Sequence, residues 1–216
     1  MSDSTVRAFV AVQIPEEVSE AVWQVQDALQ AHAAMRGLRW VEPDDSHITL
    51  KFLGETPIPQ LPAIVEALDG VAERMEPFTV RLGLLGAFPN VNRPNNIWLG
   101  VQEGERPFQR LFNGVEVALK RLGIKPERGE FHPHLTLARV PRSWSAEQQS
   151  AVGNLIGVVE LPEVPPFTVS AVALIRSLLT PGESPQYMRL GNSILGQAPP
   201  LAEDEWEDVP DDDSFE

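Results

Sequence analysis

The sequence predicts an α+β fold in two lobes related by a pseudo-twofold axis, and three observations carry that prediction. The tetrapeptides HITL (47–50) and HLTL (134–137) stand 87 residues apart, and two identical PFTV segments, at 77–80 and 166–169, stand 89 apart. The segments around these landmarks also repeat in kind, each half reading strand, helix, HxT strand, helix, strand. Two landmarks at nearly one offset mark an internal duplication. Each copy then forms an antiparallel sheet with helices on its outer side, and the HxT strands become equivalents facing a central cleft. The lobes span roughly 1–90 and 91–196 and are not independent of each other.

Each element has a local reason. RAFVAVQIP is apolar and β-branched, as a strand requires. Pro15, Glu16 and Glu17 then open a helix, because proline suits its first turn and carboxylates suit its positive end. Val18, Val22, Val25 and Leu29 recur at helical spacing and face a core. After the first HxT segment, Leu61, Ile64, Leu68 and Val71 mark the buried stripe of a second helix, and PFTV starts another strand. In the second half NNIWLGVQ is the counterpart of the first strand. Phe108, Leu111, Val115, Ala118 and Leu122 share a helical face ending at Gly123. Ser145 with Gln148 forms a capping box, Val152, Leu155 and Ile156 continue that helix, and the second PFTV begins the closing strand.

Composition bounds the functional class. Apolar residues make up 43% of the chain, yet no run approaches the roughly 18 that would span a membrane. MSDSTVR has no apolar core of the secretory kind, so a cytoplasmic protein with no membrane association is expected. The absence of cysteine excludes disulfides, a thiolate nucleophile and cysteine-based zinc sites. The net charge of −14 is concentrated at the end, where nine carboxylates and no basic residue follow position 202. Without them 22 acidic side chains face 17 basic ones, so a local basic site remains open to the body. Residues 197–216 are expected to form a disordered acidic tail, either solubilising or an RNA mimic that folds over a basic cleft.

The HxT pairs carry the chemistry. Alternation along a strand puts His47 and Thr49 on one face, and His134 and Thr136 likewise. A single HxT is weak evidence; two at matching points of a duplication, in a chain with four histidines, are much stronger. Opening a cyclic phosphodiester needs a base to take a proton from water and an acid to protonate the departing sugar oxygen. Imidazole can fill either role near neutral pH, and the threonine hydroxyls can donate to the phosphate oxygens. The alternation 47, 49, 51 puts Lys51 on the catalytic face as a phosphate ligand. It sends Arg139 to the opposite face unless the strand bulges.

HITLKFLGE and FHPHLTLARV, with RAFVAVQIP before them, resemble the two-histidine phosphoesterase superfamily, and within it the LigT-like RNA 2',3'-cyclic phosphodiesterases, also called 2'-5' RNA ligases. The resemblance runs from about Arg7 to Leu195. It implies a bilobal α+β fold and no metal or other cofactor. It also implies hydrolysis of RNA 2',3'-cyclic phosphate ends to 2'-phosphates, with ATP-free joining of RNA ends through a 2'-5' linkage at the same site. It makes His134 the general base and His47 the general acid, assigns phosphate binding to Thr49 and Thr136, and ties Arg139 to the substrate. The expected partners are RNA ends carrying the cyclic phosphate, or small cyclic nucleotides. A monomer is expected, because a pseudo-dimeric chain needs no second copy to complete its site.

Three rival readings remain. His132, His134 and His47 could form a three-histidine zinc site, although Pro133 and the missing first-half counterpart of His132 oppose it. A non-catalytic module could hold RNA ends by stacking on Phe131 or Phe88, residues read more simply as core. A related phosphodiesterase could act on another small cyclic phosphate or a 2'-5' oligonucleotide, its specificity residing in loops such as Phe88–Asn96.

Overall fold

The computed structural model describes residues 4–42, 46–178 and 185–196. The acidic tail expected over residues 197–216 lies outside the described residues. Among the described residues, nine strands and four α-helices follow the order β1 (Thr5–Gln13), α1 (Glu16–Gln30), β2 (Arg39–Trp40), β3 (His47–Pro57), α2 (Leu61–Ala72), β4 (Phe78–Phe88), β5 (Asn96–Glu103), α3 (Glu105–Lys120), β6 (His134–Arg139), α4 (Ala146–Ile156), β7 (Phe167–Val169), β8 (Ala171–Leu178) and β9 (Gln186–Ile194).

The helices form where apolar periodicity and end signals coincide. In α1, Val18, Val22, Val25 and Leu29 are all fully buried, each contributing about 1.5–3 kcal/mol of burial. The Ser145 hydroxyl accepts from the Gln148 N–H while the Gln148 amide oxygen accepts from the Ser145 N–H, the capping box that starts α4. α3 ends at Lys120, with Gly123 at φ +80° in the turn beyond it. Leu119 is the last fully buried residue of its apolar stripe.

The strands join in the order β7-β4-β5-β6-β3-β1-β8-β9, with β2 paired to β6, and every pairing is antiparallel. The two half-sheets are thus fused edge to edge along β3 and β6. Two pairings show the pseudo-twofold directly. Ile48 opposes Leu135 in β3–β6, and Thr79 opposes Thr168 in β4–β7; each pair joins equivalent positions of the two HxT or the two PFTV segments. The halves also exchange strands: β4 of the first half pairs with β5, while β8 and β9 from the end of the chain extend the sheet beyond β1. β9 has no counterpart in the expected pattern. Its sequence, QYMRLGNSI, lacks clean alternation, as an edge strand covered unevenly can.

One face of the sheet is covered by helices and holds the main core. The other is the open face, where a second small cluster of Phe9, Ala11, Ala173 and Ile175 gathers with Tyr187 packed against it. Which residues reach the open face depends on two β-bulges. Between β1 and β3 the register passes from Val10–Lys51 to Ala11–Thr49, so Leu50 is an extra residue. Between β5 and β6 it passes from Ile97–Ala138 to Trp98–Thr136, so Leu137 is the extra one. Each bulge lies at the fourth residue of its HxT motif. The burial sequence is consequently the same over 47–52 and 134–139: half-buried, buried, half-buried, buried, buried, exposed.

The bulges overturn the expectation for Lys51. A bulge shifts alternation by one residue, so Lys51 follows Leu50 into the core, where it is 1% exposed. Its Nζ donates to Glu116 Oε1 of α3 at 2.6 Å and to the Lys125 carbonyl at 2.8 Å. The Glu116 carboxylate also accepts from the Glu127 N–H, and the Glu127 carboxylate accepts from the Phe52 N–H. On the other side of the pseudo-axis, Gln26 of α1 is buried and its amide donates to the carbonyls of Val41 and Leu137. Gln26 and Glu116 stand 90 residues apart, the same offset as Val18–Phe108, Val25–Val115 and Leu29–Leu119. One polar side chain from each first helix therefore reaches the bulged HxT strand of the opposite half.

Lys51→Met is expected to lower stability by on the order of 3 kcal/mol, because it strands a largely buried Glu116 carboxylate. Urea unfolding checks this. A substrate-binding lysine would instead raise KM and leave stability unchanged.

Candidate active site

Extending the Ile48–Leu135 register by one residue sets His47 opposite Thr136 and Thr49 opposite His134. Ile48 and Leu135 are fully buried on the helical side, so all four HxT side chains share the open face at the seam of the half-sheets. The seam stands at the junction of the two lobes, as the sequence leads one to expect, and there the two half-sheets join into one antiparallel sheet.

The two imidazoles have different surroundings. His134 Nδ1 lies 2.7 Å from the carbonyl oxygen of His132. A carbonyl can only accept, so Nδ1 carries the proton and the Nε2 lone pair is left for other chemistry. The Phe88 ring meets His134 edge-on at 4.8 Å, and Trp98 lies 5.9 Å away. Burial lowers the pKa of His134 below its ordinary 6.5; the His132 backbone hydrogen bond opposes that shift and the His132 side chain adds to it. His47 instead sits between Phe9 at 4.8 Å and Tyr187 at 5.1 Å, the latter edge-on. Its cross-strand partner in β1 is Gln13.

The bulge at Leu137 brings Arg139 to the open face. Ala138 turns into the core with Leu137, both fully buried, and Arg139 pairs across β5 with Asn96, in line with the Trp98–Thr136 pair. Arg139 is exposed and makes no salt bridge among the described residues. The equivalent position of the first half is Phe52, which is 65% exposed and faces Phe9 at 6.2 Å. Each HxT motif is thus followed, five residues after its histidine, by a side chain on the open face: a phenyl ring on one strand and a guanidinium on the other.

Two further open-face residues lie outside the site as the sequence defines it. Phe88, read as core, ends β4 on this face, and Trp98 lies beside it at 5.0 Å. The indole lies flat against the sheet because Gly86 and Gly100 leave room for it: a Cβ at Gly86 would overlap the Trp98 ring, and one at Gly100 would come within 2.9 Å. The Trp98 Nε1–H is buried and has no acceptor among the described residues. The WLG of NNIWLGVQ, with its glycine two residues after the tryptophan, is the signal the sequence offers. Phe131 behaves as expected, stacked on Phe112 at 4.2 Å and packed against the core. The loop after Phe88 is tied down at both ends, by Asn95 N–H to Phe88 O and Val140 N–H to Asn95 O. Its tip rests on α4, where a Cβ at Gly153 would overlap the Val91 carbonyl.

His132 lies just outside β6, its Nε2 3.5 Å from Glu130. Among the described residues no three His, Asp or Glu side chains converge as metal ligands do.

The profile described as LigT like Phosphoesterase matches this chain twice, over residues 12–98 and 99–183. The chain belongs to the LigT-like phosphoesterase family. The two matches abut between Trp98 and Leu99, so each family unit contributes one HxT strand. A relative from Methanothermobacter thermautotrophicus, named RNA 2',3'-cyclic phosphodiesterase, is 35% identical over 82% of this chain and 92% of its own length. One of the same name from Aeropyrum pernix is 38% identical over 66% of this chain and 78% of its own. Among solved structures, TT0787 of Thermus thermophilus superposes with a TM-score of 0.69 at 30% identity, covering 89% of this chain and 98% of that one. This LigT-like chain therefore shares the family architecture over nearly all of its described length.

In an NMR titration His134 is expected to have its midpoint below 6.5, with the neutral ring in the Nδ1–H form. Protonation is disfavoured in the fold, so the stability His134 allows is complete above pH 6.5 and is lost as pH falls from 6.5 towards the lower folded midpoint.

Proposed function

We propose that this protein is an RNA 2',3'-cyclic phosphodiesterase that leaves a 2'-phosphate end. The observation carrying this reading is the Ile48–Leu135 pairing, which sets two imidazoles and two hydroxyls around one point of the open face. The names of the relatives support it. So does the difference between the histidines, because one member of the pair is already poised as a base.

In this reading water attacks phosphorus in line with the bond to the 3' oxygen. His134 Nε2 takes the water's proton, and the carbonyl of His132 holds the ring in the competent tautomer. The phosphorus–O3' bond breaks as the new P–O bond forms, and protonated His47 delivers its proton to O3'. Thr49 and Thr136 donate to the non-bridging oxygens, and the exposed guanidinium of Arg139 holds the phosphate charge. Phe52, exposed on the far side of Phe9 from His47, offers a flat surface to a base. An RNA 5'-hydroxyl in place of water would join ends through a 2'-5' linkage at the same site. Both proton transfers have an imidazole, so the step runs without a metal. The reading places the protein in the cytoplasm, acting as a monomer.

Hydrolysis of a short RNA ending in a 2',3'-cyclic phosphate, in excess EDTA, tests the proposal. Wild type is expected to yield the 2'-phosphate, and His47→Ala and His134→Ala to lose about 10²–10⁴-fold in kcat. A 3'-phosphate product, or full activity in either variant, overturns the assignment. No turnover by folded wild type sinks the reading and directs attention to other cyclic phosphates.

The pH profile of kcat/KM is expected to be a bell. His134 must be neutral, so its acid limb has a midpoint below 6.5; the basic limb follows deprotonation of His47. A rate flat from about pH 5 to 9 contradicts the acid–base pair.

A further inference from the structure

Two cavities on the described surface differ in charge. The larger, about 400 Å³, lies between β3 and the turn after α3, and carries Glu55 and Glu127 against Lys125. The smaller, about 210 Å³, is lined on its polar side by Gln13, Thr168, Ser170, Arg189 and Asn192. Arg189 is the charged group in that lining, and no carboxylate joins it. In a chain of net charge −14, a cavity with a guanidinium, two hydroxyls and two amides suits an anion with sugar oxygens around it.

The position of this cavity relates it to the HxT seam. Arg189 pairs with Ile175, which pairs with Phe9, and Asn192 pairs with Ala173, which pairs with Ala11. That row is the open face, with the small Ala173 and Ala11 between β9 and β3. The Arg189 side chain reaches across them, and its Nη1 donates to Gln13 Oε1 at 3.2 Å. Gln13 is the cross-strand partner of His47. A neutral amide holds the guanidinium without cancelling its charge, one strand away from the imidazole assigned to the leaving 3' oxygen.

We infer that this cavity binds the 5'-phosphate of the terminal nucleotide, the phosphodiester that joins it to the rest of the strand. The inference rests on the function proposed above and deepens it. With the cyclic phosphate at the seam, the only other charged group on the terminal ribose is that 5'-phosphate, and Arg189, held by the cross-strand partner of His47, is a cation placed to meet it. A free nucleoside 2',3'-cyclic phosphate lacks the group, so the cavity selects strand ends over small cyclic nucleotides.

The test compares kcat/KM for adenosine 2',3'-cyclic phosphate with that for its 5'-phosphorylated form. Wild type is expected to favour the phosphorylated compound by about ten-fold or more, the worth of a hydrogen bond between charged groups. Arg189→Gln is expected to bring the ratio to about one. Asn192→Asp, which puts a carboxylate in the cavity, is expected to lower it as well. Both compounds are measured on one preparation, so any loss of folded protein cancels from the ratio. For a short RNA with a cyclic end, Arg189→Gln is expected to reduce the slope of log affinity against log salt by about 0.7. A wild-type ratio near one, or a ratio unchanged in Arg189→Gln, overturns the inference while leaving the phosphodiesterase reading intact. No turnover of either compound or of RNA removes both.

Discussion

Leu50 and Leu137 are each one residue more than regular pairing has room for, and the open face depends on how they are absorbed. An unbulged β3 would carry His47, Thr49 and Lys51 on one face, and an unbulged β6 would turn Arg139 into the core. The bulges reverse both placements, putting Phe52 and Arg139 on the open face and Lys51 and Ala138 inside. A bulge leaves backbone groups out of the regular ladder, so it needs partners from elsewhere. Gln26 meets the Leu137 carbonyl. Lys51 anchors the other strand through Glu116, whose carboxylate also gathers the segment leading towards His134. The polar contacts between helix and sheet are thus what hold the HxT strands in their functional phase.

Those contacts also lock the duplicated halves together. α1 follows β1 but pins β6, and α3 follows β5 but binds β3. β4 and β8 cross in the same sense, each leaving its own half of the chain. Neither half could present its HxT strand in this form alone, because its bulge is supported by a helix of the other. The seam inherits approximate twofold symmetry from the duplication, and departs from it only in side chains. Aromatic rings flank His47, while burial lowers the pKa of His134 and the His132 carbonyl at Nδ1 leaves its Nε2 lone pair presented. In the proposed mechanism these chemically identical groups take opposite roles in one proton-transfer step.

Much of this is legible in the sequence. Apolar spacing places the four main helices, because a buried stripe is a local property of a helix, and the two HxT motifs identify the histidine pair without reference to topology. The failures share a cause. Alternation assigns Lys51 to the wrong face, and brings Arg139 to the open one only by the exception of a bulge, because it assumes unbroken pairing. Phe88 reads as core because aromatic residues usually are, and Trp98 carries no mark of its role within a strand. Its position depends on Gly86 in a different strand, 12 residues earlier. β9 escapes detection because an edge strand carries little of the apolar pattern by which strands are recognised.

By itself the sequence determined that the chain is a duplicated α+β protein, that each copy carries an HxT strand, and that His47 and His134 are equivalent. These follow from local periodicity and from comparing the chain with itself. Tertiary structure decided which neighbours share the face of the histidines, which histidine burial shifts towards its neutral form, and which cations lack a carboxylate partner among the described residues. Each of those depends on a register, a bulge or a packed ring set by residues distant along the chain. A one-residue shift in pairing moves a side chain from solvent to core, and no local pattern of residue types records that shift.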